Sequence, residues 1–203
     1  MWLNAAKSAL IDTGVDAVKI QPLAARLTIS RTSFYWFFKD RDALLDALLD
    51  DWEAQNSGTF HAACDAYAET VTEALLTLIG IFLDGAPFDP RLEFAIRGWA
   101  HQSPDVAQRV IAADEARLSA IRSVFRRFGY SGDSADVRAR TVYLTQMGYI
   151  SLQVSEDLET RMTRIEEYVE IFTGHRPDAR DMARFRAQRL AAADTGTDPS
   201  GVT

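Results

Sequence analysis

An all-α fold is what this sequence predicts, and three observations predict it. Apolar residues recur at spacings of three and four along most of the chain; alternation with period two is almost absent; and Gly, Pro, Asp and Ser stand where helices would start or stop. A first short helix covers residues 2–12, with Leu3, Ala6 and Leu10 facing inward, and Gly14 ends it in a left-handed cap at little steric cost. Ile20, Leu23, Ala24 and Leu27 mark a second, which tolerates Pro22 in its first turn. After the short turn 28–30, Ser30 caps a helix running from Arg31 to about Phe38, and Asp40 caps another that carries Leu44, Leu45, Leu48 and Leu49.

Beyond Trp52 the helices lengthen. Tyr67, Val71, Ala74, Leu78 and Phe82 define one, residues 92–99 another between Pro90 and Pro104, and Leu118, Ile121, Phe125 and Phe128 a third that ends near Gly129. Two more cover about 135–154 and 156–173. The second of these puts Leu158, Met162, Ile165, Val169 and Phe172 on a heptad seam, and the first offers the small residues Gly148 and Ser151 one turn apart. A last helix, about 178–193, carries Arg180, Arg184, Arg186 and Arg189. The small, polar tail 194–203 is expected to be disordered. The domain division that follows is 1–51, 52–193 and the tail.

Composition removes several function classes. With 203 residues, 47% hydrophobic and 25% charged, the chain has the make-up of a globular protein able to bury a core. Its net charge of -7 excludes a uniformly basic nucleic-acid coat, so any such contact must come from a local patch. A single cysteine, Cys64, allows neither an internal disulfide nor a cysteine-based zinc site, and His61, His101 and His175 are scattered; no metal and no cofactor is expected. The longest uncharged stretch, 141–155, is shorter than the roughly 20 apolar residues that cross a bilayer, and the N-terminus has no basic-then-apolar signal pattern. A cytoplasmic protein without a membrane partner is the expectation.

One segment breaks the acidic average. Between residues 19 and 41, Lys19, Arg26, Arg31, Lys39 and Arg41 face a single acid, Asp40. Neutralising phosphates needs such cations together, and reading bases needs a helix whose exposed side enters the major groove. The run from Ser30 to Phe38 supplies that helix. Phe34 and Phe38, four apart, would be buried, while Arg31, Thr32, Ser33 and Tyr35 project donors and acceptors. Trp36 offers an indole N–H to phosphate or an apolar edge to a thymine methyl, and Lys39 and Arg41 sit at the entry to the next helix as phosphate contacts. The competing reading is an aromatic run that is simply core.

These residues carry a resemblance. Leu23-Ala24, Ile29-Ser30-Arg31, the block from Phe34 to Arg41 and Ala43-Leu44-Leu45 resemble the N-terminal region of the tetracycline-repressor (TetR) family of bacterial regulators. The resemblance covers roughly a quarter of the chain; the remainder agrees in helix count and order. It implies an N-terminal three-helix helix-turn-helix DNA-binding domain and a C-terminal helical domain for effector binding and dimerisation. It also implies that Arg31, Thr32, Ser33, Tyr35 and Trp36 read DNA, that Arg41 meets a phosphate, and that Ser30 caps the recognition helix. There are three departures: Thr28 stands where Gly is usual and a β-branched residue tolerates positive φ poorly; Phe37 replaces a frequent His; and the basic arm many members carry before the first helix has no counterpart in these residues.

By the same resemblance the protein is a homodimeric repressor of palindromic operator DNA, released or engaged by a small, mostly apolar effector. The 158–172 seam with the preceding helix would form the dimer interface; alternatively it packs inside the monomer. Phe60, Tyr67, Phe82, Phe94, Trp99, Phe125, Tyr143 and Met147 could line an effector cavity with His101, Gln102 or Gln146 as polar anchors; alternatively they are plain core. No catalytic motif stands out, there being no phosphate-cradling glycine loop, HExxH or nucleophile elbow, so no enzymatic role is expected. A remaining alternative is an adaptor whose bundle binds protein, with Asp46, Asp50 and Asp51 as acidic contacts.

Overall fold

The computed structural model describes residues 1–84 and 86–195. Every regular element among them is helical: α1 (Trp2–Thr13), α2 (Ile20–Leu27), α3 (Arg41–Trp52), α4 (Gly58–Asp65), α5 (Val71–Gly80), α6 (Pro90–Ala100), α7 (Pro104–Arg127), α8 (Gly132–Ser151), α9 (Leu158–Met162), α10 (Ile165–Thr173) and α11 (Ala179–Thr195). No helix among the described residues is long and apolar enough to cross a membrane. Packing divides the chain into two units, Met1–Gly58 with Asp89–Glu115, and Thr59–Phe88 with Ala116–Thr203. A linear division at residue 51 therefore follows sequence order, whereas the packing groups α6 and the start of α7 with the N-terminal helices. Of the expected tail, 194 and 195 continue α11 and 196–203 lie outside the described residues.

In the first unit, Trp2, Ala6 and Leu10 of α1, Leu23 of α2, Leu44, Leu48 and Trp52 of α3, and Leu92 and Ile96 of α6 share one buried apolar cluster with Phe34. Inside that cluster lies one carboxylate. Glu93 is fully buried; its Oε2 accepts from the Trp52 indole N–H at 2.7 Å and from the Asn56 amide at 3.0 Å, and its Oε1 accepts from Arg97 Nε and Nη2 at 3.0 and 2.8 Å. Arg97 in turn reaches Asp114 on α7 at 2.6 Å. Asn56 sits on a single π-helical turn, Glu53–Ser57, that continues α3. That wider turn brings its amide against the Asp89 backbone, donating to Asp89 O at 3.0 Å and accepting from Asp89 N–H at 2.9 Å. Asp89 then caps α6 through the amides of Arg91 and Leu92, with Pro90 in the first turn where a missing N–H costs nothing.

The second unit has its own core, in which Phe60, Leu75, Ile79, Phe125, Val142, Tyr143, Val169 and Phe172 are buried together. Here α5 packs against α10 and α11, and α10 against α8. The Arg189 guanidinium lies against Gly80, in the space a Cβ there would take, so a larger residue would displace it. Thr70, rather than Tyr67, begins α5: its side chain accepts from Glu73 N–H, and Tyr67 lies before the helix, exposed. The expected continuous helix 156–173 is broken into α9 and α10 at Thr163 and Arg164. The Thr163 hydroxyl takes the Thr160 carbonyl at 2.7 Å and Arg164 N–H bonds only three residues back, so the α ladder is interrupted.

Burial pushes the Cys64 thiol up to about 12, and the thiolate is the reactive form. The folded protein is expected to label with a thiol reagent at pH 8 at least about a hundredfold more slowly than the urea-unfolded chain, as read by absorbance. Replacing Glu93 by Ala removes the shared acceptor of Trp52, Asn56 and Arg97 and leaves a void in the core, and urea denaturation should show a loss of about 3–5 kcal/mol.

Candidate nucleic-acid interface

The turn between α2 and the next element depends on Thr28. Its φ of 57° and ψ of 39° are left-handed, a conformation a β-branched residue adopts at a cost; its N–H bonds Ala25 O and the following Ile29 N–H reaches back to Ala24 O, both at 3.1 Å. The chain thereby reverses without the usual glycine. Ser30 then caps the recognition segment as expected, its Oγ accepting from Thr32 N–H at 3.1 Å.

The segment itself differs from the expected α-helix. Residues Arg31–Trp36 wind as a 3-10 helix. The cause is local: the Ser33 hydroxyl and Ser33 N–H both engage the Ser30 carbonyl, at 2.7 and 3.1 Å, and so occupy the acceptor an α-helix would offer to Phe34 N–H. Phe34 is the anchor, fully buried and edge-on to Trp2 with ring centroids 5.1 Å apart; Phe38 lies 5.6 Å from it, half-buried.

The other side of this segment is open. Ser30, Arg31, Thr32, Tyr35 and Trp36 are exposed and Ser33 half-buried, with Tyr35 at 50% and Trp36 at 79% of full exposure. Arg31 Nη2 donates to the Tyr35 hydroxyl at 3.3 Å, which spreads the cation along the surface instead of neutralising it. The Lys39 side chain is exposed and 3.5 Å from Asp40, and Asp40 is also the cap of α3, accepting from Ala43 N–H at 2.9 Å. Arg26 approaches Asp12 only at 3.7 Å, and Lys19 is exposed.

Arg41 also braces the fold. It is half-buried, and its Nε and Nη2 donate to the carbonyls of Val18 and Val15 at 2.6 and 3.0 Å, tying the connection between α1 and α2 to the first turn of α3. Sequence reasoning also missed Phe37, which is 64% exposed although its side chain carries no polar atom. The buried Glu93 was missed as well, although its position next to Leu92 and three before Ile96 places it on the inward stripe of α6.

The other predicted groups fall as follows. Phe60, Phe82, Phe125, Tyr143 and Met147 are together in the core of the second unit, with Phe60 6.0 Å from Phe82 and 5.9 Å from Tyr143. Phe94, Trp99 and His101 belong to α6 or its end in the first unit, with Trp99 buried there and Phe94 and His101 exposed; they do not join those five, and neither does exposed Tyr67. In the heptad seam, Ile165, Val169 and Phe172 are buried within the chain's own core, Leu158 and Met162 are half-buried, Gly148 is half-buried and Ser151 exposed. Ile165, Val169 and Phe172 thus pack inside the chain's own core, where α5 and α8 lie against α10, while Leu158 and Met162 stay partly open.

Residues 3–48 match the family model for bacterial regulatory proteins of the tetR family. Over 54 residues the chain is 39% identical to the class A tetracycline repressor protein from transposon 1721 of Escherichia coli, a stretch spanning 27% of this chain and 25% of that protein. Among solved structures, AmtR of Mycobacterium smegmatis superposes with a TM-score of 0.60 at 19% identity, over 94% of this chain and 92% of the other. A protein from Mesorhizobium loti assigned to the TetR-family transcriptional regulators gives 0.58 at 16% identity, over 92% and 94%. At such identities these two show the fold.

Because Arg41 holds two backbone carbonyls and Lys39 holds none, the two cations should separate in a stability assay. Arg41→Ala is expected to cost about 1–3 kcal/mol in thermal or urea unfolding, and Lys39→Ala less than about 0.5 kcal/mol. Residues 3–48 thus carry the sequence of a tetR-family N-terminal region, and the chain as a whole shares its all-helical fold with solved structures assigned to that family.

Proposed function

We propose that the protein is a ligand-responsive transcriptional repressor that binds palindromic operator DNA as a homodimer in the cytoplasm, a binding protein and not an enzyme. The observation that carries this reading is the recognition segment. Arg31, Thr32, Tyr35 and Trp36 stand exposed around a fully buried Phe34, with Lys19, Arg26 and Lys39 in the same stretch of chain. Ser30 orients the segment, Ser33 shapes it, and Arg41 braces its scaffold while keeping part of its guanidinium for a phosphate. Residues 1–51 supply the DNA-reading part and 52–193 the effector-binding and dimerising part.

A homodimer would use the outer face of α8. Val137, Leu144 and Leu152 are exposed there, joined by Thr141 and Ser151, and Ile171 is exposed on α10. This row joins the partly open Leu158 and Met162 of the seam as the candidate contact; two copies of it would hide apolar surface that a monomer leaves in water. For the effector, the aromatic core of the second unit offers polar anchors as well. The Arg117 guanidinium is fully buried, 6.0 Å over the Phe60 ring and 3.4 Å from the Tyr143 hydroxyl, and the nearly buried Gln146 has an Oε1 without a hydrogen-bond partner. A mostly apolar effector bearing one or two polar groups suits that lining.

Selection of bound duplexes from a random pool is expected to enrich a palindrome whose half-sites lie roughly 34–36 Å apart. A folded protein that enriches no sequence would contradict the proposal. Leu144→Glu should convert the dimer to monomer in sedimentation and weaken operator binding by at least about tenfold, since both half-sites are then engaged separately.

A further inference from the structure

We infer that Phe37 is a specificity-determining residue that reads the C5-methyl groups of thymines in the major groove, with Trp36 beside it; the inference rests on the DNA-binding reading above. Tyr35, Trp36 and Phe37 are 50%, 79% and 64% exposed, three consecutive aromatic side chains on the surface of a unit that buries Trp2, Phe34, Trp52 and Trp99, half-buries Phe38 and leaves Phe94 partly open. Tyr35 and Trp36 carry polar atoms that water or phosphate can meet. Phe37 has none, so its ring gains chiefly from apolar contact, and leaving it in water forgoes the burial energy of most of a phenyl ring.

Nothing in the fold needs that ring outside. Phe37 follows the 3-10 segment, where its N–H closes a turn onto Phe34 O at 2.9 Å, and the core below is already filled by Phe34 with Phe38 and Trp2 against it. An exposed apolar patch with a polar, charged rim marks a docking surface, and here the rim decides the occupant. Arg31 and Lys39 flank the aromatics in sequence, Lys19 and Arg26 lie close before them, and the one acid in that stretch, Asp40, is taken up in capping α3. Cations around an aromatic patch complement a polyanion, which favours a duplex over an apolar protein groove. In the major groove of a duplex the apolar feature within reach of a side chain is the thymine methyl; guanine, adenine and cytosine present donors and acceptors there that a phenyl ring cannot satisfy. Phe37 therefore selects thymine both by covering a methyl and by leaving the polar edges of other bases unpaired.

The test uses the duplex obtained by selection, with each thymine in turn replaced by deoxyuridine, which removes the methyl and keeps the Watson–Crick edge. For the intact protein, at least one such replacement per half-site should weaken binding about three- to fivefold, the value of one buried methyl group. With Phe37→Ala the parent duplex should bind more weakly and the same replacement should make no further difference, because the two changes remove the same contact. Phe37 is exposed, so the variant keeps its fold, verifiable by an unchanged unfolding midpoint. Equal affinity of the intact protein for thymine and deoxyuridine duplexes would overturn the inference and leave the DNA-binding reading standing. A methyl effect that persists undiminished in Phe37→Ala would overturn it too, placing the contact on another residue. If no duplex is enriched by either protein, the functional reading and this inference fall together.

Discussion

The buried carboxylate of Glu93 is the constraint on which the first unit depends. Taking a charge out of water costs several kcal/mol even after relaxation, and the surroundings must answer every lone pair. They do so from different parts of the chain. Trp52 answers from the end of α3, Asn56 from the π turn that follows, and Arg97 from the next turn of α6, with Asp114 on α7 holding Arg97 in place. An apolar contact tolerates sliding, but a hydrogen-bonded charge does not. The register of α3 against α6, and of α6 against the start of α7, is therefore fixed by one side chain.

From α3 the constraint passes to the recognition segment by two routes. Arg41, in the first turn of α3, holds the carbonyls of Val15 and Val18 and so fixes where α2 begins. Phe34 enters the same apolar cluster as Leu44 and Leu48 and meets Trp2 edge-on. With its inner side pinned at Phe34, the short 3-10 segment presents Arg31, Thr32, Tyr35, Trp36 and Phe37 outward on a rigid base. Rigidity matters for reading a groove, since a side chain displaced by an ångström loses a bidentate or methyl contact that supplies its discrimination.

Much of this was legible in the sequence. The period-3.6 pattern, the caps Ser30 and Asp40 and the aromatic block specified an all-helical chain with a helix-turn-helix near its start, and the caps formed with the partners such caps take. What the sequence concealed were competitions between local bonds. Ser33 gave the recognition segment a 3-10 winding because its hydroxyl and the backbone contended for one carbonyl. Thr163 divided the helix expected at 156–173 for the same reason, and Ile165, Val169 and Phe172 of the seam, a pattern that serves packing within or between chains equally, turned inward. Hydrophobicity alone does not say which of two cores a residue joins; Trp99 and Phe125 read alike in sequence and lie in different units. Glu93 was hidden by its own chemistry, an acid on an apolar stripe that gains meaning only when its donors are in place.

In the proposed function an acidic protein binds duplex DNA through one short cationic segment, residues 19–41, whose orientation the core dictates. The most direct measurement is the affinity for duplex DNA across a salt series. Engagement of phosphates by Lys19, Arg26, Arg31 and Lys39 predicts that log affinity falls against log salt with a slope of about -4 or steeper. A slope near zero would contradict it.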